Sequence, residues 1–161
     1  MSFVIRVYTP AYALIGESES TNAFLGWLNN PNKRTLDIFE VHGLSLDPSA
    51  TLTNFSQSQV TVPKNRILAI DMVSPKAQAS VQLPSRAELS VLYTERFVIQ
   101  ANMHPTGDMP VSNIFNVLGG DFLPVSDAKL HPVIPTSKLP TDHARVLVVS
   151  KLFVNFYHSW K

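Results

Sequence analysis

Val7-Tyr8-Thr9 followed by Tyr12-Ala13-Leu14-Ile15 returns in the second half of the chain as Leu92-Tyr93-Thr94 followed by Phe97-Val98-Ile99-Gln100. Both passages have the form of a short strand, a turn at Tyr-Thr and a second strand, and self-similarity of this kind points to related units built in series. Three further blocks follow in the same order. Phe24, Trp27, Leu28 and Asn29 are echoed by Val111, Ile114, Phe115 and Asn116, apolar positions spaced for a turn or two of helix. Ser20, Thr21 and Asn22 precede the first of these helices and Ser112 and Asn113 the second, residue types that cap helix N-termini. Ile38-Phe39-Glu40-Val41 with Leu44 and Leu46-Asp47-Pro48 corresponds to Phe122-Leu123-Pro124-Val125 with Ala128 and Leu130-His131-Pro132, which predicts a strand, a tight turn and another strand. Arg66-Ile67-Leu68-Ala69-Ile70 matches Arg145-Val146-Leu147-Val148-Val149 as the closing strand of each unit.

The expected organisation is a first module over residues 1–73, a linker over 74–90 rich in Ser, Ala, Pro and Gln, and a second module over 91–161. With 45% hydrophobic and 16% charged residues among 161, the chain can bury a core, but each half alone is small and the two are expected to pack together. Twelve prolines against six glycines favour many short elements, since proline is confined to strand edges, turns and helix starts.

The blocks YTPAYALIGESES, FLGWLNN, LDIFEVHGLSLDP and NRILAID, with FLPVSDAKLHPV and ARVLVVS in the second half, resemble the small bacterial Sm-like domains that run strand, strand, short helix, strand pair and closing strand. The resemblance implies a mainly-β fold of two small Sm-like/SH3-like barrel modules in tandem, each with one short helix. RNA-binding Sm proteins grip a base with an Asp and Asn-bearing loop and a glycine-flanked Arg loop. Leu36-Asp37-Ile38 and Lys64-Asn65-Arg66 depart from that pattern, and His143-Ala144-Arg145 lacks the glycine. The resemblance therefore implies the architecture and not the RNA site.

Thirteen basic and twelve acidic residues leave a formal charge of +1, so no global field draws in nucleic acid or an anionic membrane. Local clusters are another matter. Lys33, Arg34, Lys64 and Arg66 are the candidate phosphate contacts, which makes RNA or single-stranded nucleic-acid binding one alternative function. A small-molecule or enzyme site between the modules is another. Gly-x-Ser-x-Gly, Walker and Gly-x-Gly-x-x-Gly motifs are missing from the sequence, and Gly119-Gly120 suits a turn that needs positive φ. His42, His104, His131, His143 and His158 lack zinc-ligand spacing; a set of His104, Asp108, His131 and His143 would require its loops to converge. No metal, cofactor or catalytic residue is assigned.

Without cysteine the chain carries no disulfide or thiolate chemistry, in keeping with a cytoplasmic setting. The apolar stretch Val146 to Phe156 is broken by Ser150, Lys151 and Asn155, far short of a membrane span. The C-terminal run from Lys151 to Lys161 has no counterpart in the first half, and Phe153, Phe156, Tyr157 and Trp160 are its candidate oligomer contacts. It is expected to extend the sheet beside Val146 to Val149 and to offer its outer side to a second copy. The function class read first from these features is a non-catalytic interaction or structural module, with a homo-oligomer or another protein as partner.

Overall fold

The computed structural model describes residues 2–19 and 23–160. Strands β1 (Ser2–Tyr8) and β2 (Tyr12–Glu19) lead into helix α1 (Phe24–Leu28). Strands β3 (Thr35–Ser45), β4 (Asn54–Pro63) and β5 (Ala69–Met72) follow, with a single 3-10 turn at Lys64–Arg66 before β5. Helix α2 (Pro75–Ala79) joins these to β6 (Glu88–Tyr93) and β7 (Phe97–Met103). A 3-10 turn at Val111–Asn113 runs into helix α3 (Ile114–Val117), then come β8 (Phe122–Pro132), β9 (His143–Ser150), a 3-10 turn at Lys151–Phe153, and β10 (Phe156–Ser159).

The strands form one ten-stranded sheet in the order β10-β6-β7-β8-β9-β5-β1-β2-β3-β4, with every adjacent pair antiparallel. Each half thus repeats one order: last strand, first, second, third, fourth. Register agrees as well. Thr35 pairs with Pro63 and His42 with Ser56, while Phe122 pairs with Ser150 and Lys129 with His143, all at the offset that separates Thr35 from Phe122. Strand β5 lies on β1 as β10 lies on β6, Ala69 opposite Tyr8 and Phe156 opposite Tyr93. The Tyr-Thr turns also agree, since Thr9 and Thr94 use the hydroxyl to accept from the N–H of Tyr12 and Phe97.

Strand β3 is continuous where the sequence suggested two strands and a tight turn. A β-bulge opposite Gly16 bends it, with Glu40 at φ 51°, and β8 has the same irregularity with Asp127 at φ 48°. One extra residue in a ladder increases bend and twist without ending the strand. Gly16 suits this bend, because a Cβ there would lie 2.6 Å from Ile38 and 2.7 Å from the Phe39 carbonyl.

Alternation drives the burial. Phe3, Ile5 and Val7 of β1 point into one core, where Phe24, Leu28, Leu36, Ile38 and Met72 join them. Phe97, Ile99, Ala101, Leu123, Leu130 and Leu147 dominate a second core. Each core also borrows from the other half: Tyr8, Ala13, Leu46, Leu68 and Ala69 enter the second, and Phe122, Val146 and Val148 enter the first.

Several local expectations need correction. Trp27 and Phe115, apolar positions of the helix spacing, are only half-buried where they pack against the two cores; Phe24 and Leu28 are buried in α1, and Ile114 in α3. The 3-10 turn and α3 begin without a side-chain cap from Ser112 or Asn113, and Ser20, Thr21 and Asn22 lie outside the described residues. The segment expected as a linker contains α2, started by Ser74, whose hydroxyl accepts from the Ala77 N–H, and by Pro75 at its first turn. Ala77 and Val81 bury that segment against the first core. The block Arg145–Val149 belongs to β9, the register equivalent of β4, so it does not match Arg66–Ile70. Finally, the C-terminal segment pairs with β6 and not with Val146–Val149, whose free side is taken by β5.

Candidate functional site

A cleft of about 930 Å³ opens where α1 and the loop before β3 face the start of β8 and the turn after β9. Its rim carries Lys33, Arg34, Lys64 and Lys151, with Asp121 as an opposing carboxylate. Two of these lysines are built alike. The Lys64 ammonium donates to the carbonyls of Trp27 at 3.3 Å and Asn30 at 3.5 Å and sits 4.8 Å above the Trp27 ring. The Lys151 ammonium donates to the carbonyls of Phe115, at 3.4 Å, and Leu118, and lies 5.8 Å from the Phe115 ring. A cation closing the C-terminal carbonyls of a short helix is favourable, and an aromatic face adds a cation–π contribution. Partial burial pushes both lysines below the ordinary range, with Lys33 adding to the effect on Lys64 and Asp121 opposing it on Lys151. These groups are therefore partly committed to structure.

The floor of the cleft is a seam between the halves. Asn29 donates from Nδ2 to the Phe122 carbonyl at 3.2 Å and accepts from the Phe122 N–H at 2.9 Å, as a neighbouring strand would. Gly120, at φ 82°, admits this contact, since a Cβ would fall 2.3 Å from Asn29 Cγ.

Of the residues singled out for phosphate contact, Lys33, Arg34 and Lys64 share this cleft, while Arg66 lines a different surface. Lys151 is the residue sequence reasoning missed. The available signal was a lysine immediately after the fourth strand of each half, Pro63-Lys64 and Ser150-Lys151.

The histidines of the second half do not converge. His104 is buried, its Nδ1 2.9 Å from the Pro84 carbonyl and 3.0 Å from that of Arg86, and its Nε2 2.8 Å from the Ser126 hydroxyl. Both ring nitrogens therefore have hydrogen-bond partners within the chain. His131 and His143 are exposed, and among the described residues no three His, Asp or Glu side chains group to hold a metal ion.

Arg66 belongs to an apolar groove of about 620 Å³ along β4, lined chiefly by Tyr12, Leu52, Phe55, Val60 and Val62. At the opposite end of the sheet lie the C-terminal aromatics. Phe153 packs against the second core, and Tyr157 stacks on Phe115 at 4.3 Å while its hydroxyl donates to the Ser112 carbonyl at 2.9 Å. Phe156 stacks on Tyr93 at 4.3 Å yet stays 59% exposed, and Trp160 is 56% exposed. Phe153 and Tyr157 therefore serve packing within the chain, whereas Phe156 and Trp160 face outward. Among the described residues no helix is long and apolar enough to cross a membrane. No protein family, curated protein or solved structure matches the chain.

Proposed function

We propose that this chain is a non-catalytic interaction module, two Sm-like/SH3-like barrel units in tandem whose binding surfaces are the two outer edges of the shared sheet. The observation that carries this reading is the pair of edge strands β4 and β10, each paired on one side only among the described residues and bordered by exposed apolar side chains: Tyr12 and Leu52 at one end, Phe156 and Trp160 at the other. An open edge bordered by apolar surface is a template for strand addition. The tandem reading draws support from the common strand order, the matched registers and the acidic, positive-φ residue in each bulge. The lack of cysteine suits the cytoplasm as its place of work.

The test is photo-crosslinking in the cell that makes the protein, with the reactive group at position 156, at position 61 or, as a control, at the exposed turn residue Ser49. Adducts at both edges and not at Ser49 are expected. Edge positions that label no more than Ser49 overturn the reading.

The alternative of nucleic-acid binding gains one specific observation, the gathering of Lys33, Arg34, Lys64 and Lys151 around a cleft with one facing carboxylate. Anisotropy of labelled single-stranded RNA would show affinity falling steeply with salt and lost in Lys33→Glu/Arg34→Glu. Salt-independent or absent binding removes this alternative.

A further inference from the structure

The junction inside the chain shows what each outer edge would accept. Strand β5 pairs with β9 through Ala69 opposite Val149, Ile70 opposite Val148 and Asp71 opposite Leu147. Around that ladder, Tyr8, Ala13, Leu46, Leu68 and Ala69 project from the first half into the second core, Tyr8 edge-on to Phe97 at 5.7 Å.

Carrying the register of each half onto the other gives the counterparts of both sides. Those of the projecting residues Tyr8, Ala13, Leu46, Leu68 and Ala69 are Tyr93, Val98, Val133, Asn155 and Phe156, so the side chain in the place of Leu68 is polar. All five are at least partly exposed at the β10 end, Val133 by 48% and Phe156 by 59%. The counterparts of the receiving residues Phe97, Ile99, Leu147 and Val149 are Tyr12, Leu14, Val60 and Val62. Those four line the groove along β4. The chain therefore has an open receiving groove at one end, in which Leu14 and Val62 are already buried and Tyr12 and Val60 remain accessible, and a partly uncovered projecting surface at the other.

The geometry points to head-to-tail association of this chain with further copies of itself, β10 of one copy adding antiparallel to β4 of the next. The register is Phe156 opposite Val62, Tyr157 opposite Thr61 and His158 opposite Val60, and Tyr93, Val133 and Phe156 fill the groove. The inference rests on reading the halves as repeated units and names the partner of the edges proposed above. Because different surfaces meet, the contact is heterologous, so copies close into a ring or run on as a filament. Two bonds of the template are lost: Ser150 donates to the Leu68 carbonyl at 2.9 Å, whereas Pro63 at the equivalent place has no N–H, and Arg96 donates from Nε to the Pro10 carbonyl at 2.9 Å, whereas Ala11 at the equivalent place has no side-chain donor. The outer junction accordingly has the same number of residue pairs but fewer bonds than the inner one, which favours reversible assembly.

The experiment is size-exclusion chromatography with light scattering on the full chain, at several concentrations. Phe156→Glu disables the projecting end, and Tyr12→Glu/Leu52→Glu the receiving end; all three side chains are exposed, and circular dichroism and urea midpoints check that the variants fold. Wild type is expected at multiples of the chain mass that grow with concentration, and each variant as a monomer. An equimolar mixture of the two variants is expected to stop at a one-to-one dimer, because a single competent junction remains. A wild type that is monomeric throughout, folded variants that assemble unchanged, or a mixture that stays monomeric overturns the inference. Edge crosslinks to a different protein, beside a monomeric wild type, would leave the interaction reading standing and remove only self-association.

Discussion

Strands β5 and β10 hold the same place in their halves but meet different surroundings. Ala69, Ile70, Asp71 and Met72 of β5 are all buried between β1 and β9, while β10 has β6 on one side only and carries Phe156, Tyr157, His158 and Ser159. Strands β9 and β4 differ in the same sense. Leu147, Val148 and Val149 are covered on both faces, whereas β4 reads Asn-Phe-Ser-Gln-Ser-Gln-Val-Thr-Val-Pro along the sheet edge. Composition in these strands follows the neighbour, not the position in the topology. Polar residues and a terminal proline blunt an edge against indiscriminate pairing, and full burial permits a continuous apolar run.

The sharpest way to break this contrast is to truncate one residue on each side. Leu68→Ala, at the closed junction and fully buried, should cost about 2–5 kcal/mol. Phe156→Ala at the open edge should change the stability of the dissociated chain by only about 0.5 kcal/mol. Urea titrations at low protein concentration, followed through single-tryptophan versions retaining Trp27 or Trp160, would report each half separately. Coincident transitions are expected, because each core borrows side chains from the other half; separate midpoints would mean that the junction does not couple the halves.

The next effect is electrostatic. Asp71 forms a buried ion pair with Arg6 at 3.0 Å, and burial pushes its carboxyl up to about 6 although Arg6 opposes the shift. A folded-state pKa above the unfolded value means that Asp71 contributes its stability below about pH 4 and loses it as pH rises through about 6. The difference is on the order of 1–3 kcal/mol. Urea midpoints from pH 4 to 8 should therefore fall more steeply in the wild type than in Asp71→Asn; equal slopes would contradict the assignment. Gly120→Ala should lower stability by about 1–3 kcal/mol, through positive φ and collision with Asn29. Asn29→Ala in the same chain should relieve part of that cost, which a double-mutant cycle would detect.

The smallest effect belongs to Tyr8→Phe. The Tyr8 hydroxyl is buried without a well-formed hydrogen bond, although Arg6 lies near it, and burial raises its pKa to about 12. Removing it should shift the urea midpoint by no more than about 0.5 kcal/mol in either direction. A large loss would mean that Arg6 holds the hydroxyl more firmly than the geometry indicates.

These contrasts also explain what was legible in the sequence. The Tyr8-Thr9 and Tyr93-Thr94 turns stood out because the hydroxyl has the same work in both, accepting from the N–H three residues on. The mainly-β class and the helix between second and third strands were legible from spacing. Strand β4 was not, because an edge strand of Ser, Gln and Thr has little apolar alternation. That omission misaligned the closing strands, since Arg145–Val149 resembles Arg66–Ile70 in composition while sharing register with β4. The bulges hid for a related reason: Glu40 and Asp127 take left-handed backbone without the glycine that usually advertises it. Lys33, Arg34 and Lys64 were found as cations, but the carbonyls that tie down Lys64 come from Trp27 in α1 and Asn30 just after it, far along the chain.

The borrowing of core residues has a consequence during synthesis. Tyr8, Leu46 and Leu68 finish their packing only against residues of β7, β8 and β9, so even Leu68, the last of them to be made, waits for some eighty more residues. At roughly 5–20 residues per second that interval is about 4–16 s. Over that time the nascent first half offers the ribosome's surroundings the face meant for its own C-terminal sequel, and a chaperone able to shield that face briefly would raise the yield of native chain without touching its final stability.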